Sequence, residues 1–134
     1  NSLKNDKKNE ISLASLMNEI IDPKQIKDPN IVKVIVDNKN FAIYFSRFGL
    51  PYRRDDEKKT NYFKHIGVYA FRKKSLLEFS SQEIGPLERS EKIECIRFIE
   101  NQKKIKMITT QFEGVSIDTP EDLLYAKSIW KSDE

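Results

Sequence analysis

One cysteine and one histidine stand among 134 residues, so an intrachain disulfide is impossible and a Cys/His zinc constellation cannot be assembled. Any metal must then be held mainly by carboxylate and phosphate oxygens, the ligand set that suits magnesium. Glycine is scarce at four residues and proline at five, too few for a linker or a low-complexity tract, and no internal repeat is visible. No apolar run approaches the ~18 residues of a membrane span, and no signal-peptide pattern opens the chain. The expected location is cytoplasmic. A one-signed charge excess is missing too: the net charge is only +3, with lysines interspersed among acids rather than drawn into one basic stripe. That distribution does not favour nucleic-acid binding.

What is present fits a globular chain with a heavily charged surface, 38% apolar and 34% charged. The length predicts a single domain over residues 1–134, large enough for a real core but small for a complete α/β enzyme. A chain that opens on Asn1 and a polar stretch over residues 1–10, expected to be disordered, reads as a piece of a longer protein.

Ile11 to Met17 alternates apolar and small polar residues and predicts a strand. Pro23 and Pro29 bound a loop. Ile31 to Val36 and Phe41 to Phe45 are rich in β-branched and aromatic residues around Asp37-Asn38-Lys39-Asn40, which predicts a hairpin. Pro51 and the charged stretch from Arg53 to Thr60 read as a mobile, solvated loop, ending at a strong strand from His65 to Phe71. A short helix over Ser75 to Phe79 and a long one over Pro86 to Asn101 follow, the latter with Leu87, Ile93, Ile96 and Ile99 as its core side. Ile105 to Ile108 is a further strand. Val115 to Ile117 reads as a last short strand before an amphipathic helix bearing Leu123, Leu124, Ala126, Ile129 and Trp130. The order of elements predicts part of an α/β three-layer fold.

At that last junction local structure explains each polar residue except one. Thr119 is placed as N-cap, Pro120 as the first helical residue and Asp122 as a capping-box acid. Asp118 is left over. A carboxylate at the outlet of a strand, where α/β proteins bind ligands, is a candidate for a metal or a polar substrate.

Three further places are candidates for chemistry. His65 begins an apolar strand before Gly67, with Tyr69 on the same side by the strand period, so the pair could face one ligand; composition alone favours a histidine with no chemical role. Glu94 falls on a helical stripe with Leu87, Glu91 and Phe98 that would draw it toward packed surface, or else it pairs with Arg97 in an ordinary surface ion pair. Pattern leaves these two equal. Arg47, after Ser46 at the hairpin's end, can grip a carboxylate or phosphate in two-pronged geometry, although spacing alone favours a solvated strand-end charge. The lysines at 58, 59, 103 and 104 read as solvated surface.

Taken together the segments resemble the C-terminal half of the 3-deoxy-manno-octulosonate cytidylyltransferase (CMP-Kdo synthetase) family. The resemblance runs from about Ile11 to Trp130 through Asn30-Ile31-Val32-Lys33-Val34, Ala42 to Arg47 with Pro51, Lys64 to Arg72, Pro86-Leu87-Glu88 leading to Glu94 and Arg97, and Ile117 to Leu123. Each piece is weak alone, and their order and spacing carry the signal. The fold it implies is a nucleotide-diphospho-sugar-transferase-like, Rossmann-like mixed sheet, of which this chain is the sugar-acid-binding and dimerisation half. The activity it implies is attack of the anomeric hydroxyl of Kdo on the α-phosphate of CTP, releasing pyrophosphate and forming CMP-Kdo for lipopolysaccharide assembly. By the resemblance Arg47, His65, Tyr69 and Glu94 match positions lining the sugar-acid pocket, with Cys95 beside them, and Asp118 matches a catalytic magnesium ligand. It also implies a homodimer.

Two departures stand out. Where the family commonly has Glu-Gln this chain has Glu94-Cys95, which keeps open another ulosonic acid, such as 8-amino-Kdo or a sialic-acid-like sugar. The family's N-terminal half, with the basic loop for the CTP phosphates, the cytosine-recognition region and another magnesium-binding aspartate, has no counterpart in these residues. The fragment alone is expected to be inactive, and a non-catalytic binding or assembly module retaining the half-fold is the reading from a different class.

Overall fold

The structure is a computed structural model that describes residues 2–7, 10–55, 60–111, 117 and 120–130. Its centre is β1 (Ile11–Glu19), which pairs antiparallel with β4 (Phe63–Phe71) on one side and parallel with β5 (Lys104–Thr109) on the other. The hairpin of β2 (Lys33–Val36) and β3 (Ala42–Ser46) joins through β2, giving a mixed five-stranded sheet of order β3-β2-β4-β1-β5. The hairpin turn forms where Asp37 accepts the amides of Lys39 and Phe41 and Asn40 takes a left-handed φ of 58°, a conformation asparagine tolerates.

Between β4 and β5 the chain forms α3 (Lys73–Ser81), α4 (Pro86–Glu91) and α5 (Ile96–Glu100). The core gathers Leu13, Met17, Val34, Phe45, Ile105 and Met107 from the strands with Ile93, Cys95, Ile96 and Phe98. The last element among the described residues is α6 (Pro120–Trp130), the expected terminal helix. The expected strand over Val115 to Ile117 falls largely outside the described residues, as do residues 56–59 of the charged loop.

The structure departs from the sequence reading at three places. In the polar opening Ser2–Asn5 form α1, and Arg72 ties it down by donating to the carbonyl of Leu3 and the carboxylate of Asp6. The loop after β1 contains α2 (Pro23–Lys27), because Asp22 caps the amide of Lys24 and Pro23 is preset for a first turn.

The third departure is the long helix, which is broken. Lys92 sits left-handed at φ 55°, ψ 47°, returning its N–H to Glu88, and α5 starts afresh at Ile96. The break turns Cys95 and Phe98 into the core beside Ile93 and Ile96, whereas Leu87, expected on the core side, is exposed. It also folds α5 back so that the Glu100 carboxylate accepts the amides of Leu87 and Glu88 at the start of α4. Gly85 permits that approach, since a β-carbon there would collide with the same carboxylate.

Candidate functional site

The site is built around an irregularity in β4. Met17 pairs with His65 and Leu16 with Ile66, but Ser15 then pairs with Tyr69, so Gly67 and Val68 bulge out of the ladder. Residues four apart on a regular strand are ~13 Å apart. Because the bulge takes up two residues, the facing is kept and the spacing shortened: the rings of His65 and Tyr69 lie 5.5 Å apart. The strand period anticipated their common side but not their contact. A β-carbon on Gly67 would meet nothing within 4 Å, so the space beside this bulge is open.

Ser15 lies beneath the bulge, 2% exposed. Its hydroxyl is 2.8 Å from His65 Nε2, 3.0 Å from the carbonyl of Val68 and 3.2 Å from that of Ile66. Carbonyls only accept, so the single hydroxyl proton goes to them, and Nε2 of the neutral imidazole is the donor to Oγ. This assignment leaves Nδ1 as an acceptor. Phe45 closes the far side of the imidazole edge-on at 5.0 Å. The sequence reading missed Ser15, although its signal was present: it shares the core-facing side of β1 with Leu13 and Met17.

Burial holds the imidazole well below its ordinary value, at about 4. The cluster continues through the Tyr69 hydroxyl to the Cys95 thiol, with which it is hydrogen-bonded. Burial pushes the Tyr69 hydroxyl far up and the Cys95 thiol up to about 12, so both are neutral at pH 7 and the thiol is a poor nucleophile. Glu94 is exposed, not drawn into packed surface, and its charge acts on both Tyr69 and Cys95. Nor does Glu94 pair with Arg97, whose guanidinium takes Glu88 instead at 2.6 and 2.7 Å.

His65 makes stability pH-dependent with a definite sign. The folded imidazole refuses a proton that the unfolded one accepts near 6.5, so its contribution is whole above that pH and is lost as pH falls toward about 4. Between pH 7 and pH 5 the expected loss is about 2 kcal/mol beyond that from groups shared with His65→Asn. Urea melts of both proteins at the two pH values measure the difference, and equal slopes would show that His65 titrates normally.

Arg47 lies at the end of β3, two residues beyond Phe45. Its guanidinium is not a free strand-end charge: Nε donates to the carbonyl of Glu91 at 2.8 Å, Nη1 to that of Pro29 at 2.9 Å and Nη2 to that of Lys92 at 3.3 Å. Three of five donors are used, leaving two for a ligand. The Glu91 carboxylate accepts the Ser46 hydroxyl at 2.6 Å and the Arg47 amide at 2.9 Å, which seats Arg47 on the turn leading into Glu94 and Cys95.

Thus His65, Tyr69 and Cys95 touch in sequence, Glu94 flanks them, and Arg47 holds the turn from which Glu94 and Cys95 emerge. Asp118 and Thr119 lie outside the described residues. Among the described residues no group of three or more His, Cys, Asp or Glu side chains is placed to hold a metal ion, which bears on an all-protein metal cage and not on a magnesium ion shared between one carboxylate and substrate phosphates. No helix among them is long and apolar enough to cross a membrane.

A family model for cytidylyltransferases matches residues 1–105. The chain belongs to the cytidylyltransferase family. Among curated members of this family, the 3-deoxy-manno-octulosonate cytidylyltransferase of Flavobacterium johnsoniae is 50% identical over 126 residues, covering 94% of this chain and 52% of the relative. That of Christiangramia forsetii is 52% identical, covering 90% and 48%. An 8-amino-3,8-dideoxy-manno-octulosonate cytidylyltransferase of Shewanella baltica is 40% identical, covering 85% and 46%. A solved structure of CMP:2-keto-3-deoxy-manno-octonic acid synthetase complexed with CTP superimposes with a TM-score of 0.89 at 28% identity, over 99% of this chain and 54% of that one. The family resemblance and the mixed α/β fold read from the sequence are both borne out. This cytidylyltransferase chain spans about half the length of the curated relatives it matches.

Proposed function

We propose that this chain supplies the sugar-acid pocket of an enzyme that transfers CMP from CTP to Kdo, giving CMP-Kdo and pyrophosphate for lipopolysaccharide synthesis. The observation that carries the reading is the neutral chain of polar groups Ser15, His65 and Tyr69, drawn together by the β4 bulge beside open space, with Cys95 brought to it by the break between α4 and α5. A sugar hydroxyl finds there an acceptor at His65 Nδ1 and a donor at Tyr69, without an adjacent buried charge. The two remaining N–H groups of Arg47 suit the sugar's carboxylate. Glu94, exposed and anionic, can accept from a further hydroxyl.

The anomeric oxygen bonds to the α-phosphorus of CTP, the bond to the β-phosphate oxygen breaks, and the hydroxyl proton is lost to solvent or a base. This half orients the nucleophile; positioning of that kind is a major source of rate in phosphoryl transfer. Magnesium enters the reading only as a partner of the Asp118 carboxylate, where it would neutralise charge on phosphate oxygens. The proposed location is the cytoplasm, where CTP is available. A homodimer through the hairpin and the stretch from Ser46 to Pro51 is supported by the exposure of Ile43, Phe48 and Tyr52. Cys95 and the Shewanella relative favour one second reading, 8-amino-Kdo as the acceptor sugar.

Pyrophosphate release from CTP and Kdo tests the proposal. The chain alone is expected to give none, and the same chain joined to the remaining half of the Flavobacterium relative is expected to turn over. Release by the chain alone would place the nucleotide groups within these residues, and a well-folded but inert fusion would overturn the reading.

A further inference from the structure

Lys33 is among the largest fully buried side chains of the described residues, at 0% exposure, and the chemistry above makes no use of it. It lies within β2, opposite Ser46 on β3 and Lys64 on β4. Its ammonium donates to the carbonyl of Asp28 at 2.7 Å and to that of Arg47 at 2.6 Å. Both partners are neutral backbone groups. A buried cation held this way is costly, and burial accordingly lowers its pKa. An apolar side chain would fill the same volume without that cost, so the lysine is doing something that packing does not require.

What it does is visible in where the two carbonyls lie. One belongs to Arg47 itself. The other belongs to Asp28, the residue before Pro29, whose carbonyl receives Arg47 Nη1. Lys33 therefore pins the peptide from which the Arg47 side chain departs and the segment on which one arm of its guanidinium rests. Glu91 holds the same residue as well, through its carboxylate to Ser46 Oγ and Arg47 N and its carbonyl to Nε. With Lys33 gone, the guanidinium would be oriented by the turn at Glu91 and Lys92 alone.

We propose that Lys33 is a positioning residue that, through the carbonyls of Asp28 and Arg47, fixes the direction in which the Arg47 guanidinium offers its two unused donors to a substrate carboxylate. The substrate part of this inference rests on the reading of Arg47 given above. Its device is a buried ammonium that couples a loop to a strand end, with no contact between Lys33 and the ligand.

The test uses the chain itself and two ligands, Kdo and its neutral methyl ester. If Arg47 grips the carboxylate, the parent protein prefers the acid by about tenfold or more. Lys33→Met should abolish most of that preference while changing ester affinity by less than about twofold, and the double variant with Arg47→Met should be no worse than Arg47→Met alone. A lysine that only supports the fold would weaken both ligands alike, and losses that add in the double variant would equally overturn the proposal. A second readout stands apart from ligand binding: the Arg47 Nη1–H NMR resonance, hydrogen-bonded to the Pro29 carbonyl in the parent, should lose its protection from solvent exchange in Lys33→Met. Absence of any acid preference in the parent would count against the role of Arg47 in binding, and the resonance would still decide whether Lys33 holds it. Should Lys33→Met fail to fold, Lys33→Gln, which keeps a donor on a shorter side chain, is expected to show the same loss of protection, and an unmoved resonance would overturn the proposal.

Discussion

Arg97→Met is expected to cost about 3–5 kcal/mol of folding stability, because it strands a carboxylate in the core. Glu88 is 5% exposed, and its two oxygens are held by Arg97 Nε and Nη2 at 2.7 and 2.6 Å, the forked geometry that only arginine provides. The same guanidinium lies 4.1 Å above the Phe79 ring and donates to the carbonyls of Phe79 and Gln82, so it joins α3, α4 and α5 at one point. Its charge is favoured first by the hydrogen bonds to Glu88. Methionine keeps much of the apolar volume and removes all of these donors. Paired with Glu88→Leu it should recover most of the loss, since no buried charge then remains. Urea denaturation of the two variants decides the point. A single variant within about 1 kcal/mol of the parent, or a double variant no better than the single, would show that the ion pair is not what holds the helices together.

The largest effect on chemistry is expected at Asp118. In the fusion described above, Asp118→Asn should lower turnover by about two orders of magnitude or more, some 3 kcal/mol of lost transition-state stabilisation, with little change in stability. The argument is one of elimination in the sequence: Thr119, Pro120 and Asp122 suffice to start α6, so the Asp118 charge is not needed for the helix. Thr119→Ala is the matched control, expected to cost on the order of 1 kcal/mol of stability through the lost cap with a smaller effect on turnover. Melting temperature and steady-state rate for both variants separate the roles. Unfolding of Asp118→Asn, or turnover at the parent level, would make this carboxylate structural.

The elements that were legible in the sequence are those marked by their own composition and by the turns that bound them. The β2–β3 hairpin and β4 were readable because β-branched and aromatic residues flank turn residues with their own hydrogen-bonding chemistry, as Asp37 and Asn40 demonstrate. The break at Lys92 was not, because a left-handed lysine carries no local mark that distinguishes it from a helical one; it is enforced by burial of Cys95 and Phe98 and by Glu100 capping α4 from a distance. The same break explains why Arg97 pairs with Glu88, nine residues back, rather than with Glu94 three residues back. Helical spacing cannot anticipate a partner on another helix.

The site shows the same division. His65 and Tyr69 were placed on one side by the period of the strand, while the bulge that makes them touch follows from pairing with Ser15 across the sheet. Arg47 was identified as a candidate, yet its three carbonyl partners come from two separate turns. Lys33 interrupts an apolar run with a charge, and nothing local foretells that its ammonium is taken up by the carbonyls of Asp28 and Arg47, from a loop and a strand end outside β2.

The central claim is that this chain holds the sugar acid. Calorimetric titration of Kdo into the chain in the absence of nucleotide addresses it most directly. One saturable site per chain, weakened about tenfold or more by His65→Ala and by Arg47→Ala, is the expected result. A folded chain that takes up no Kdo, or binds it equally well without both side chains, would contradict the account.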